Sequence, residues 1–352
     1  MHWDLLIDKR DLTRTELRSA EEAHSLAEGE VLLAVERFAL TANNITYGAM
    51  GEAFGYWQFF PAPDGFGRIP VWGFATVVAS RAEGIEPGLR LFGYMPMSSR
   101  FTARLVKTRG GYVDAAPHRA QLPPTYNQYA AAPADPLDDH RALLRPLFMT
   151  SWLIDDFLAD QNDLGAKSVV LTSASSKTAL GLAWALSQRG VKVTGLTSPR
   201  HVAFLQGLGL YDQVLPYEQA PSLKVETPTV LIDFAGDRQL IATLHNLLGD
   251  SIAHSAIIGV THWQAPAIEA APLPGPTPTL FFAPDQIRKR AGEWGAEVMD
   301  ARFKAALGAF VEANAWLKLE YAQGPEGLQQ AYQTVVAGTA SPNVGLIVKL
   351  QD

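Results

Sequence analysis

The chain comprises 352 residues with 47% hydrophobic content, a formal net charge of −7 and no cysteine. That length and apolar fraction allow two domains, and the missing cysteine excludes disulfides, thiolate zinc sites and a cysteine nucleophile. No apolar run reaches the roughly eighteen residues of a membrane span, the start Met1-His2-Trp3-Asp4 lacks the order of a secretion signal, and no dense Lys/Arg block occurs. Membrane and nucleic-acid partners are therefore not expected, and a cytoplasmic location is.

From residue 1 to about 150 the chain consists of short apolar runs punctuated by glycine and proline. Val31-Leu32-Leu33-Ala34-Val35 and Leu89-Arg90-Leu91-Phe92-Gly93-Tyr94 are examples, and their spacing predicts a small barrel or folded sheet. From 151 to 283 strands alternate with helices. Residues 168–172 form a β-branched run short enough for a buried parallel strand. Over 178–188, Ala179, Leu180, Leu182, Ala183 and Leu186 recur at helical spacing, and Arg189-Gly190 closes the helix. Strand patterns return at 191–196, 230–236 and 255–260, with helices at 199–207, opened by Ser198-Pro199, and at about 237–248. Such short turns imply parallel strands covered on both faces. The remainder predicts a proline-rich connection at 271–278, helices at 284–292 and 301–317, and a last strand at 345–350.

After the first parallel strand the chain reads Thr172-Ser173-Ala174-Ser175-Ser176-Lys177-Thr178, where a helix begins. A strand-to-helix turn of small residues lets backbone N–H groups approach a pyrophosphate, and the helix N-terminus adds a favourable potential. Ser173, Ala174, Ser175, Ser176, Lys177 and Thr178 are thus the candidate grip, with hydroxyl donors and one positive charge. The G-x-G-x-x-G pattern is absent, so a plain turn capped by Ser175 or Ser176 is the alternative. Ser176-Lys177-Thr178 also matches the end of a P-loop, but without its glycines. Asp233 ends a later strand and is followed by Phe-Ala-Gly, unlike a Walker B site, so a nucleotide triphosphatase is the lesser reading. At the end of the second strand an acidic residue would favour NAD. Thr197, Ser198 and Arg200 stand there instead, and hydroxyls with a guanidinium suit a 2′-phosphate. The expected cofactor is NADPH.

The whole chain then resembles the medium-chain dehydrogenase/reductase superfamily, nearest its zinc-free quinone oxidoreductase-like branch, as a divergent subgroup. Gly29-Glu30-Val31-Leu32-Leu33 looks like the family's "GEVLV" strand. Thr41-Ala42-Asn43-Asn44-Ile45-Thr46-Tyr47-Gly48 falls where that branch carries an Asn followed by Asp and Tyr. Ile69-Pro70-Val71-Trp72-Gly73 and Gly88-Leu89-Arg90-Leu91 parallel its "PG-x-E" and "GDRV" steps, and Leu208-Gly209-Leu210 its "lGA" step. The sequence departs where Ser176, Lys177 and Ala179 replace glycines and where Leu89 and Arg90 replace an acid. The resemblance implies an α/β fold: a Rossmann-type doubly wound parallel sheet at 151–283 and a chaperonin-10-like β-rich catalytic domain from 1–150 and 284–352. It also implies a homodimer.

Zinc-free members pass a hydride to an activated double bond, often one conjugated to a carbonyl. By that resemblance Tyr47 is the candidate acid, and Asn43 or Asn44 would orient the substrate. Tyr56 and Trp57, with Phe59 and Phe60, would line a flat pocket opposite Tyr94 and Met95; core or dimer packing explains this cluster equally well. Gly259, Val260, Thr261 and His262 fall where relatives cradle the nicotinamide, and Phe281 and Phe282 where a later strand packs beside it. No H-E-x-x-H or G-x-S-x-G spacing occurs, so neither a metal site nor a serine hydrolase is expected. The leading expectation is an NADPH-dependent reductase of a small enone, quinone or related carbonyl compound, working without metal. The alternative is a non-catalytic NADPH-binding sensor or partner protein on the same fold.

Overall fold

The computed structural model describes residues 2–19, 25–258 and 272–350. The chain divides into two compact units, Met1–Arg145 with Leu317–Asp352, and Pro146–Trp316.

In the first unit the strands Glu30–Leu40, Pro70–Ser80, Arg90–Pro96, Gln128–Ala131, Gly111–Asp114 and Arg100–Thr108 pair antiparallel in that order. Arg100–Thr108 then pairs back onto Glu30–Leu40, with Phe101 opposite Leu33, and closes the sheet. Closure leaves no unpaired edge in the ring, and alternate residues such as Phe101, Ala103 and Leu105 fill its interior. Val344–Lys349 extends the sheet alongside Glu30–Leu40, and Lys318–Gln323 forms its outer edge, parallel to that strand. Arg90, where an acid was the family norm, pairs with Glu36 at 2.7 Å and Asp138 at 2.9 Å. Its guanidinium also lies over the Phe74 ring, 4.3 Å from the centroid. The reversed charge is thus answered by carboxylates from Glu30–Leu40, two strands away in the sheet, and from the start of the helix Asp138–Asp160.

The second unit holds a six-stranded parallel sheet in the order Gln213–Pro216, Lys192–Thr197, Ser168–Leu171, Thr229–Asp233, Ile252–Ile257, Thr279–Leu280. The chain enters at a central strand, builds outward to one side and then to the other. This is the doubly wound order, and its reversal lies beside Ser168–Leu171. Both faces are covered. Val169, Leu171, Val193 and Ile232 pack with Leu182, Leu186, Ile154 and Leu158, while Val170, Leu196 and Leu231 pack with Leu240, Ile241 and Leu244. Such strands carry apolar residues continuously because neither face meets water. The fold class is therefore the expected one, a Rossmann-type sheet and a chaperonin-10-like β-rich domain.

Residues 284–316 depart from the expected division and belong to the second unit. The helix Ala283–Trp294 is fixed there by Arg290, which pairs with Asp156 at 2.6 Å and Asp160 at 3.0 Å. In the next helix, Ala296–Ala313, Phe310 stacks on Phe148 with ring centroids 4.5 Å apart. One further element differs. Residues 199–207 open as a 3₁₀ turn, Pro199–His201, before the helix Val202–Leu208, and the Ser198 side chain makes no cap bond.

Gly73 marks the tightest crossing in the barrel: a Cβ there would meet the Arg37 carbonyl oxygen below van der Waals distance and lie 2.6 Å from Phe38 Cβ. Gly73→Ala should therefore destabilise the protein by about 2–3 kcal/mol, the range of overpacking in a closed core. Denaturant unfolding measures this; an unchanged midpoint would show that the strands can separate without loss.

Candidate functional site

The turn between Ser168–Leu171 and the helix Lys177–Gln188 is held by a dense set of hydrogen bonds. Thr172 is fully buried, and its hydroxyl donates to Asp233 Oδ1 at 2.5 Å while accepting from the amides of Phe234 and Ala235. Asp233 also accepts from the amides of Ala235 and Gly236. Burial pushes its carboxyl pKa up, against the opposing effect of these bonds. All of these partners lie within the fold, so Asp233 does not stand as the outward acidic ligand that the P-loop reading needs.

Ser173 adopts a left-handed backbone with φ of 46°, a conformation that strains a residue with a side chain. Its amide donates to the Tyr217 hydroxyl at 3.1 Å. Ala174 is fully buried; its amide donates to the Leu196 carbonyl at 3.0 Å and its carbonyl accepts from Tyr211 Oη at 2.7 Å. Ala174 therefore holds the turn in place rather than facing a ligand. Gly195 permits this, because a Cβ at that position would lie 2.9 Å from both Ala174 Cβ and the Tyr211 ring.

Ser176 caps the helix, accepting from Ala179 N at 3.2 Å, so this part of the plain alternative is observed. Ser175 stays outside the helix, its hydroxyl 2.9 Å from His201 Nδ1 and 3.2 Å from Thr197 Oγ1, which donates to it. The turn and the end of the second strand are thus joined through hydroxyls. Lys177 and Thr178 occupy the first helical turn, where amides and macrodipole present positive potential. Burial lowers the Lys177 ammonium to about 8. Arg200 is exposed on the 3₁₀ turn, and His201 is held below its usual range by burial and then by Arg200. Phe281 packs on the sheet core, its ring 5.9 Å from Phe157, and Phe282 precedes the next helix. Gly259, Val260, Thr261 and His262 lie outside the described residues.

In the first unit the helix Ala42–Ala49 carries the predicted acid. Thr41 and Asn44 form a capping box there; Asn44 Oδ1 accepts from Thr41 N at 2.8 Å and Asn44 Nδ2 donates to the Pro70 carbonyl at 2.9 Å. Both ends of that buried amide are used within the fold, the oxygen in capping the helix and the nitrogen in joining it to the strand. Tyr47 is 7% exposed, and its hydroxyl accepts from Trp72 Nε1 at 3.4 Å, with the Asn43 side chain as a further partner. Its ring lies 4.7 Å from Tyr56, 5.5 Å from Tyr94 and 6.4 Å from Tyr126. Burial raises the pKa of all four phenols. Tyr94 is fully buried, and its hydroxyl has no partner among the described residues.

Trp57 and Met95 do not join this cluster as pocket walls. The indole of Trp57 fills the space over Gly51 and Gly67, where any Cβ would collide with it, and Met95 is fully buried in the barrel. The sequence reading missed Tyr126, Tyr211, Tyr217 and His201. Each acts from a loop or helix start with no motif of its own. Trp72 lay inside the "PG-x-E"-like segment, Tyr211 in the run matched to the "lGA" step and His201 at the end of the run after the second strand, none of them with a site role assigned.

A family model described as "Protein of unknown function (DUF2855)" matches residues 38–341. No curated protein matches. Among solved structures, CurA from Vibrio vulnificus in complex with NADPH has a TM-score of 0.66 and 14% identity over 99% of both chains. A Mesorhizobium loti protein described as an NADPH:quinone reductase has 0.64 and 13%, over 99% of this chain and 98% of that one. A mutant form of enoyl thioester reductase from Candida tropicalis has 0.61 and 11%, over 99% of both chains. At these identities the likeness is one of fold alone. The family match covers most of both units, and the chain accordingly belongs to the DUF2855 family.

Proposed function

We propose that the protein is an NADPH-dependent oxidoreductase that reduces an enone, quinone or related carbonyl compound without a metal. The observation that carries this reading is the Thr172–Thr178 turn at the reversal of the parallel sheet, joined through Ser175 to Thr197, at the end of the second strand, and to His201 just beyond it. The fold likeness to CurA in complex with NADPH supports the choice of cofactor. The residues fit that group. Ser175, Ser176, Lys177 and Thr178 present a helix start and a cation for the pyrophosphate, and Ser198 and Arg200 present donors for the 2′-phosphate, whereas the expected third donor, Thr197, is buried and gives its hydrogen to Ser175. When bound, NADPH supplies a hydride.

Tyr47 then supplies the proton. Its raised pKa keeps the phenol neutral through the physiological range, so it donates a hydrogen bond to a carbonyl oxygen and a proton to the reduced substrate. Asn43 orients that hydroxyl. Tyr56, less buried than Tyr47, offers an aromatic wall for a planar substrate. A cytoplasmic homodimer acting on a small molecule completes the reading. The burial of Tyr47 among Tyr56, Tyr94 and Tyr126 favours one second reading, an NADPH-binding sensor that does not turn over.

NADPH binding followed by fluorescence, then consumption across a panel of enones and quinones, separates the two. Binding with turnover supports the reductase, binding without turnover supports the sensor, and failure to bind either dinucleotide rejects both. Arg200→Ala should weaken NADPH by about 10-fold or more and leave NADH nearly unchanged; equal losses would take the 2′-phosphate away from Arg200. Tyr47→Phe should lower kcat by about 100-fold with little change in KM, the usual scale for losing a general acid. A full kcat would show that the proton comes from elsewhere.

Lys177 gives a pH dependence. Burial brings its ammonium down to about 8, and a phosphate beside it favours the charged form. NADPH binding should therefore take up a proton above about pH 8 and weaken as the pH rises further. Calorimetry in two buffers of different ionisation enthalpy reads the uptake directly, and Lys177→Met should abolish it. Binding without uptake in the wild type would place Lys177 away from the phosphates.

A further inference from the structure

The first unit contains a second chemical feature, a cavity of about 290 Å³. Its lining includes the apolar Phe59, Phe60 and Phe101 and the polar Ser98 and Arg119. Ser98 is 1% exposed and its hydroxyl has no hydrogen-bond partner among the described residues. Arg119 is 2% exposed and its Nη1 likewise has none. Buried donors are almost always satisfied, and two orphaned donors lining one cavity point to an acceptor that belongs between them.

Arg119 is rigidly placed. Its Nε lies 3.2 Å from Asp114 Oδ2, and its guanidinium sits over the Phe60 ring, 4.5 Å from the centroid. Asp114 is fixed in turn by the amides of Arg104 and Ala116, each at 3.1 Å. Arg68 at the same cavity is neutralised by Asp4 at 2.6 Å. Arg100 is exposed at the lining and has no carboxylate partner among the described residues. Three guanidiniums thus face two carboxylates, a surplus of one positive charge.

We infer that this cavity binds a small organic carboxylate with a planar apolar body. The Ser98 hydroxyl and Arg119 Nη1 donate to the carboxylate, and Phe59, Phe60 and Phe101 cover the body. A single surplus charge suits a monoanion; a phosphate dianion would leave excess negative charge beside Asp4 and Asp114. The lining includes neither Tyr47 nor Tyr56. The Phe59 ring, however, also meets Tyr94 at 5.3 Å and Tyr126 at 5.5 Å. A bound carboxylate would therefore press on the tyrosine cluster from behind through one shared ring.

Benzoate is the probe, titrated by calorimetry into the intact protein, with benzyl alcohol and inorganic phosphate as comparisons. Benzoate should bind with a Kd on the order of 1 mM, as expected for so few non-hydrogen atoms, and benzyl alcohol should not bind measurably. Ser98→Ala removes a hydroxyl with no hydrogen-bond partner among the described residues, so the thermal midpoint should hold while benzoate weakens about 10-fold. Arg100→Gln, which removes the surplus charge at an exposed position, should weaken it by about 3-fold. No binding of benzoate to the folded wild type, equal affinity in Ser98→Ala, or tighter binding of phosphate would each overturn the assignment. None of these readouts involves NADPH, so the test stands apart from the proposed reductase activity.

Discussion

The hydroxyl of Thr172 lies at the carboxyl ends of two neighbouring parallel strands and uses its whole bonding capacity, one donor and two lone pairs. It gives its hydrogen to Asp233 and receives the amides of Phe234 and Ala235. A buried carboxylate is expensive unless surrounded by donors, and Asp233 has the hydroxyl and two amides. These bonds fix the height at which the chain leaves the sheet. Ser173 must then turn left-handed, Ala174 must lie under Tyr211, and the helix must start at Lys177. The geometry of the candidate phosphate grip follows from satisfying polar groups at the top of a dry sheet.

The barrel unit solves the opposite problem. Its closed ring leaves no strand edge to satisfy, and its polar questions move inside. Glu36, Arg90 and Asp138 answer one another, whereas Tyr94, Ser98 and Arg119 retain buried groups without hydrogen-bond partners among the described residues. Stability alone does not select such groups, because an apolar side chain of similar shape would remove the penalty. They mark places where something besides packing constrains the sequence. Phe59 links two of them, its ring against Tyr94 and its guanidinium neighbour Arg119 5.5 Å from the centroid.

Much of the nucleotide unit was legible because its strands are buried on both faces. Val169, Val170 and Leu171 read as a strand whichever way they point, and short turns leave parallel winding as the remaining arrangement. The fate of residues 284–316 was not legible. An amphipathic helix announces a stripe but not the surface that receives it, and the Arg290–Asp156 pair spans 134 residues of sequence. The site shows the same split. Ser175, Ser176 and Lys177 could be placed from a local pattern, while Tyr217, Tyr211 and His201 reach the turn through chain contacts that no spacing encodes. Trp57 was misplaced because an aromatic residue gives no sign of its side. The glycines that receive it, Gly51 and Gly67, stand six and ten residues away.

The turn also carries a consequence for timing. From Thr172 to Leu180 there is no glycine, and the left-handed position that a glycine would fill without strain belongs to Ser173. Glycine loses more conformational freedom than any other residue when it is ordered, and a loop rich in it gives up much of that freedom when its ligand arrives. Here the loss is taken during folding, along with the local strain at Ser173. The loop meets its ligand already in shape, so association is governed more by contacts and charge than by the entropy of a closing loop.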